Sequence, residues 1–187
     1  MEDAEVFFYP DFFSRIESDA YYEYLLENID WKQEKIKYFG KLIDLPRLTA
    51  WYGDAGKIYK YSGISVTALT WTPTLLAIKH KIEAISQVKF NSVLLNLYRG
   101  EKDSVSWHSD DEPELGPNPT IGSVTFGESR SFQFRHKNKK EFRSKVELTH
   151  GSYLLMKGAT QHFWQHQIPK SSKPAGSRIN LTFRTIL

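Results

Sequence analysis

Trp107-His108-Ser109-Asp110-Asp111-Glu112 places an imidazole and a carboxylate two positions apart. On an extended chain such a pair leaves the backbone on the same side, so His108 and Asp110 can face one metal ion. A further histidine would complete a two-His, one-carboxylate face. Such a face occupies three neighbouring positions around a non-haem Fe(II) and leaves the other three for a chelating cosubstrate and O2. Spacing alone offers His136, His150, His162 and His166 as the third ligand. His150 precedes Gly151 and reads as a turn residue, and His136 lies in a basic, loop-like stretch, so His162 and His166 remain. The chain has no cysteine. That excludes disulfides, thiolate-bound zinc, iron–sulfur clusters and a thiol nucleophile.

A second pattern lies near the carboxy end. In Arg178-Ile179-Asn180-Leu181-Thr182-Phe183-Arg184, alternation puts Arg178, Asn180, Thr182 and Arg184 on one face and three apolar side chains on the other. An ordinary strand with its polar face in water would look the same. The sharper reading is a polar face that lines a cavity and binds an anion, because guanidinium forks match carboxylates. At about 3.3 Å per residue the two arginine α-carbons lie about 20 Å apart, so convergence on one ligand demands a curved sheet and a small concave site. Asn96 and Tyr98 likewise share a face of Leu94–Tyr98, and His162, Trp164 and His166 share one further on.

These groups need strands to hold them. From Phe90 onward the chain reads as short alternating runs: 92–99, 121–126, 130–136, 145–148, 153–157, 162–168 and 178–186, with turns at Gly127-Glu128-Ser129 and His150-Gly151-Ser152. Two helices are expected before them. One spans about 11–29, opened by Ser14 and Arg15; the other spans about 73–85, with Thr72 as cap and Pro73 in its first turn. Many short strands with outer helices describe a mainly β sandwich, jelly roll or barrel. The length, 187 residues, suits one domain over 1–187: an outer helix and a recognition segment within about 1–70, and a β core over about 90–187.

The net charge of +3 hides an asymmetry. Residues 130–187 carry twelve Lys and Arg against Glu141 and Glu147, a net of +10, which leaves −7 for residues 1–129. A solvated face and a footprint for phosphates both fit such a basic half, and ten tyrosines and five tryptophans would suit base stacking. The amino end lacks a signal-peptide pattern and no apolar run is long enough to span a bilayer, so an intracellular protein with no membrane partner is expected.

Taken in order, Asn96-Leu97-Tyr98-Arg99, Trp107-His108-Ser109-Asp110-Asp111-Glu112-Pro113, Trp164-Gln165-His166 and the 178–184 string form a set far more specific than any one of them. With Ala50-Trp51-Tyr52-Gly53-Asp54, the set resembles the AlkB family of Fe(II)/2-oxoglutarate-dependent dioxygenases over roughly 45–185, nearest the branch of the animal DNA and RNA dealkylases. The resemblance implies a double-stranded β-helix, a jelly roll with flanking helices. It implies Fe(II) held by His108, Asp110 and His166, the last preferred over His162 for its Trp-x-His-x-x-Pro context. It also implies 2-oxoglutarate held by Asn96, Tyr98, Arg178, Asn180 and Arg184, with O2 as co-reactant. Tyr61 would stack on a flipped base with Tyr59 beside it, Asp111 and Glu112 would read the polar edge of the base, and Phe39 would wedge the duplex.

The implied activity is oxidative demethylation of N-alkylated bases such as N1-methyladenine and N3-methylcytosine in DNA or RNA, with release of formaldehyde. The protein would act as a monomer, in the cytoplasm if bacterial and in the nucleus if eukaryotic. Arg135, Lys137, Lys139, Lys140 and Arg143 would meet phosphates. Two other readings stand beside it: a 2-oxoglutarate oxygenase of proteins or small molecules, and a metal-free jelly roll that binds nucleic acid without chemistry.

Overall fold

In the computed structural model, residues 1–38, 40–56, 58–61 and 64–187 are described, except for the side chains of 37, 38, 58–61 and 64–67. The chain opens with strand β1 (Glu5–Tyr9) and helix α1 (Arg15–Asn28). There follow β2 (Lys35–Tyr38), β3 (Lys41–Asp44), β4 (Leu48–Gly53), β5 (Ile58–Tyr61), β6 (Ile64–Thr67) and β7 (Leu69–Thr70). Helix α2 (Pro73–Ser86) leads to β8 (Ser92–Tyr98), β9 (Val105–His108), β10 (Ile121–Gly127), β11 (Arg130–His136), β12 (Arg143–Leu148) and β13 (Ser152–Lys157). One helical turn, α3 (Thr160–Phe163), precedes β14 (Trp164–Ile168) and β15 (Arg178–Arg184).

The strands form a jelly roll of two sheets. The larger has the order β1-β13-β10-β15-β8-β4-β7 and the smaller β12-β11-β14-β9. Two hairpins, β2-β3 and β5-β6, stand apart from them. Both helices start where side chains can cap them. The Ser14 hydroxyl accepts from the Glu17 amide while the Glu17 carboxylate accepts from the Ser14 amide, and Thr72 accepts from the Leu75 amide.

The helices cover one face of the large sheet. Leu25 of α1 and Leu75, Ile78 and Ile82 of α2 share a core with Val93, Leu95 and Leu97 of β8 and Ile179, Leu181 and Phe183 of β15. Burying each such side chain stabilises the fold by about 1.5–3 kcal/mol. A second core fills the gap between the sheets, where Leu94, Tyr98, Leu154 and Met156 meet Phe132, Phe134, Trp164 and Ile168. β8 and β15 are therefore buried along their whole lengths. Their odd-numbered residues enter the helix-side core, and the even-numbered ones, polar groups included, turn into the gap.

Gly151 shows how tightly α1 is docked. Its φ is +78°, and a Cβ there would lie 2.4 Å from Ser18 Oγ on the helix. Beside it, His150 Nδ1 accepts from the Gly127 amide and Nε2 faces Asp19 Oδ1 at 3.2 Å. No helix among the described residues is long and apolar enough to cross a membrane.

The structure departs from the sequence reading in three places. Strands β1 to β7 precede Phe90 in addition to the two expected helices, and β1 and β4 extend the large sheet. His136, which closes the expected run 130–136 and also reads as loop-like, is a buried strand residue. The expected strand over 162–168 begins at Trp164, because 160–163 makes a helical turn; His162 thus leaves the face it was expected to share with Trp164 and His166.

Candidate metal centre

β9 and β14 run antiparallel, with His108 directly opposite His166. Cross-strand neighbours on one face bring their side chains together, and the two imidazole centroids lie 4.3 Å apart. Asp110 follows two residues beyond the end of β9 and is buried. One ligand atom from each of His108, Asp110 and His166 lies within 4.8 Å of the others.

Each side chain is oriented by a second contact. The Ser106 carbonyl lies 2.7 Å from His108 Nδ1. A carbonyl only accepts, so Nδ1 carries the proton and the Nε2 lone pair is left for a metal. Arg184 Nη2 donates to Asp110 Oδ1 at 2.5 Å, and Oδ2 faces His166 Nε2 at 3.7 Å. Burial alone would raise the Asp110 carboxyl, but Arg184, His166 and His108 pull it down to about 2. Burial, with His108 beside it, pushes the His166 imidazole down to about 3 against the pull of Asp110. At neutral pH the site therefore presents a carboxylate and an uncharged His166, the protonation states that ligate metals.

The triad opens into a cavity between the sheets, lined also by Arg47, Asn96, Tyr98, Arg178, Asn180 and Arg184. β15 supplies the last three from its even-numbered face, and its register with β8 sets Arg178 opposite Tyr98 and Asn180 opposite Asn96. Arg178 is 1% exposed. Its Nη2 donates to Thr125 Oγ1 at 2.8 Å and its guanidinium carbon sits 5.1 Å from the Tyr98 ring centroid. Nε and Nη1 are buried with no hydrogen-bond partner among the described residues. Burial lowers the Arg178 pKa to about 10, which leaves the group cationic at neutral pH. A buried cation with two idle donors is costly by itself and suits an anion that enters the cavity.

The model of the 2OG-Fe(II) oxygenase superfamily matches residues 5–184. The chain belongs to this superfamily. A Bos taurus protein named Alpha-ketoglutarate-dependent dioxygenase alkB homolog 3 is 45% identical over 186 residues, covering 95% of this chain and 64% of that protein. A Mus musculus protein named DNA oxidative demethylase ALKBH2 is 36% identical over 189 residues, covering 96% of this chain and 79% of that one. The chain thus spans just under two thirds of the length of the bovine relative. The solved structure of OsALKBH1 superposes with a TM-score of 0.66 over 97% of both chains at 15% identity, a likeness of fold. The donor set of this chain fits both groups in the superfamily's name: two imidazoles and a carboxylate suit Fe(II), and the unsatisfied Arg178 donors suit a carboxylate of 2-oxoglutarate.

Among the other candidate third ligands, His162 is exposed and pairs with Asn118 Oδ1 at 3.0 Å. His136 Nδ1 accepts the amides of Asn138 and Lys139, and His150 is held by Gly127 and Asp19. Asn96 lines the cavity with its Oδ1 taken by Arg47 Nε at 2.8 Å. Asn180 spends its amide hydrogens on Ser123 Oγ and the Val124 carbonyl and accepts from Thr182. It braces the wall. Asp111 and Glu112 are not among the cavity-lining residues, and Asp111 pairs with Lys137 at 3.0 Å. Phe39 lies outside the described residues, as do the side chains of Tyr59 and Tyr61 on β5. Sequence reasoning missed Arg47, a buried arginine in the cavity wall that also donates to the Ser104 carbonyl. Its one signal is a lone charge ahead of the apolar run that becomes β4.

Proposed function

We propose that this oxygenase removes methyl groups from N-alkylated bases, N1-methyladenine and N3-methylcytosine among them, in DNA or RNA. His108, Asp110 and His166 hold Fe(II). Arg184, already on Asp110, meets the cosubstrate carboxylate next to the metal, and Arg178, with Tyr98, meets the distal one. Asn96 and Asn180 keep the walls in place around 2-oxoglutarate. The observation that carries this reading is the His–Asp–His cluster opening onto a cavity whose remote cation keeps two donors without partners among the described residues. The name of the ALKBH2 relative, DNA oxidative demethylase, supports a nucleic-acid substrate class.

When bound, Fe(II) with 2-oxoglutarate and O2 supplies oxidation of an N-methyl carbon, so that methylated base, O2 and 2-oxoglutarate become repaired base, formaldehyde, succinate and carbon dioxide. The residues do the placing. Arg178 and Arg184 fix the dicarboxylate by both ends, so the cosubstrate arrives oriented. Phe132, Leu94, Met156 and Ile168 line the same cavity with apolar surface and keep water from the reacting carbon. A base within a duplex cannot reach a site between two sheets, so it is extruded. Tyr61 and Tyr59 stack on it, Asp111 and Glu112 face its polar edge, and Phe39 fills the gap it leaves.

Phosphates meet the basic strands and loop of the small sheet. Arg135 and Arg143 stand opposite each other across β11 and β12, an arrangement that favours an anion over either neighbour. Arg135 is already ordered, over the Trp107 ring at 4.4 Å and on Gln165 Oε1 at 2.9 Å. Lys137 and Lys139 are engaged by Asp111 and by Glu2 and Asp3, and Lys140 completes the loop. The protein acts inside the cell, as a monomer, in the cytoplasm of a bacterium or the nucleus of a eukaryote.

The test is turnover. Purified chain with Fe(II), ascorbate and 2-oxoglutarate should release formaldehyde and succinate in equal amounts from an N1-methyladenine oligonucleotide, and none of the formaldehyde from its unmethylated twin. Succinate formed at one rate with both oligonucleotides would refute the repair reading and favour a protein or small-molecule substrate.

A further inference from the structure

Three consecutive residues around the metal-site carboxylate are tied to one short segment, α3 and the start of β14. Ser109 Oγ donates to the Trp164 carbonyl at 3.0 Å, and the Asp110 amide donates to Gln161 Oε1 at 3.0 Å. Asp111 pairs with Lys137 Nζ at 3.0 Å, and the same ammonium donates to the Gln161 carbonyl at 2.8 Å. Gln161 is 0% exposed, and its amide nitrogen turns to the Met156 sulfur at 3.6 Å, a weak acceptor.

The position of Asp110 explains why such ties matter. The β9–β14 ladder ends at the His108–His166 pair, so no strand partner fixes the backbone two residues further on. A carboxylate on an unpaired loop would swing, and a ligand displaced by an ångström is a poor ligand. Gln161 Oε1 stands where a ladder carbonyl would stand. A buried leucine would fill the same space, but it would offer nothing to that amide.

We infer that Gln161 is the positioning residue of the metal centre: its side-chain carbonyl fixes the Asp110 backbone so that Oδ2 meets the two imidazoles, with Lys137 as a second tie through Asp111. Gln161 acts through Asp110 and touches neither metal nor cosubstrate. The inference rests on reading His108, Asp110 and His166 as a metal site.

Cobalt(II) affinity, followed by the visible absorbance of the bound ion on the full chain without cosubstrate, tests it. Gln161→Asn, one methylene too short to reach, and Gln161→Leu should both weaken binding about 10- to 100-fold, the usual cost of losing an outer-sphere partner. Ile82→Ala, which empties a fully buried position under α2, should lower Tm and leave cobalt affinity within about threefold of wild type, since lost stability by itself does not move a ligand. Lys137→Met, at a partly exposed position where folding is not at stake, should weaken cobalt about three- to tenfold, a fraction of that outer-sphere cost. Affinity within threefold of wild type in folded Gln161→Asn would overturn the inference. If neither Gln161 variant folds, unchanged affinity in Lys137→Met overturns it instead. Wild-type affinity no better than that of Asp110→Ala would mean that the metal reading itself has failed.

Discussion

Arg178→Met should separate cosubstrate binding from folding. The guanidinium is buried, donates from Nη2 to Thr125 Oγ1 and sits against Tyr98, while Nε and Nη1 have no hydrogen-bond partner among the described residues. Replacing it with an unbranched apolar side chain removes a desolvated charge, which is often neutral or stabilising. The same change leaves the Thr125 hydroxyl without its donor, a cost of about 1–3 kcal/mol. The two effects oppose each other and are of similar size. The unfolding free energy should therefore move by no more than about 1 kcal/mol, about 2–4 °C in Tm for a chain of this length. Cosubstrate binding moves much further. Truncating one partner of a buried charge pair costs about 3–5 kcal/mol, which at about 1.4 kcal/mol per tenfold is a loss of two to three and a half orders of magnitude in affinity. Calorimetric titration of 2-oxoglutarate into the Mn(II)-loaded chain reads the binding, and scanning calorimetry without cosubstrate reads the folding. Affinity within tenfold of wild type, or a Tm lower by more than about 8 °C, would refute the assignment of Arg178 as an anion anchor held at the expense of stability.

Two further outcomes follow from the charges. Burial pushes the Glu83 carboxyl up, but Lys79, Lys89 and the Phe90 amide together hold it below its usual 4.5. A depressed carboxyl adds stability that is complete above 4.5 and disappears as pH falls through the lower folded value. Glu83→Gln should thus cost about 1–3 kcal/mol at pH 7, and its Tm deficit should shrink below pH 4.5; a deficit that grows on acidification would contradict the sign. Replacing Arg135 and Arg143 with glutamine should weaken oligonucleotide binding and reduce the slope of log affinity against log salt by about 0.7–0.9 for each phosphate no longer neutralised. An unchanged slope in fluorescence anisotropy titrations would remove both residues from the nucleic-acid surface.

The alternation in 178–184 and 92–98 was legible in the sequence because a strand period of two survives any context. The caps at Ser14 and Thr72 were legible because capping is local. What escaped was set by partners far along the chain. β4 reads Leu-Thr-Ala-Trp-Tyr-Gly, is buried on both faces, and so shows no alternation to find. β1 and β9 are short strands whose identity comes from pairing with β13 and β14. The third histidine could not be chosen by spacing, since what separates His166 from His162 is a helical turn at 160–163 and a register that puts residue 166 against 108. Arg47 and Gln161 belong to no recurring pattern in the sequence, and only the contacts to Asn96 and Asp110 give them meaning.

The polar stripe on β15 could equally have been an ordinary wet strand face, and burial decides between the two. β15 has helix-side core on one face and the second sheet across the other, so Arg178, Asn180, Thr182 and Arg184 are 1–9% exposed. Such a face works against stability unless each group finds a partner. Asn180 and Thr182 find theirs in the wall, and Arg184 finds Asp110. Arg178 keeps Nε and Nη1 without a hydrogen-bond partner among the described residues, at the end of the stripe away from Asp110. A local breach of the rule that cores are apolar, left open at one cation, is what a binding site looks like from the side of folding. The two faces of one strand thus divide the work: Ile179, Leu181 and Phe183 hold the sheet under the helices, and Arg178, Asn180, Thr182 and Arg184 line the cavity.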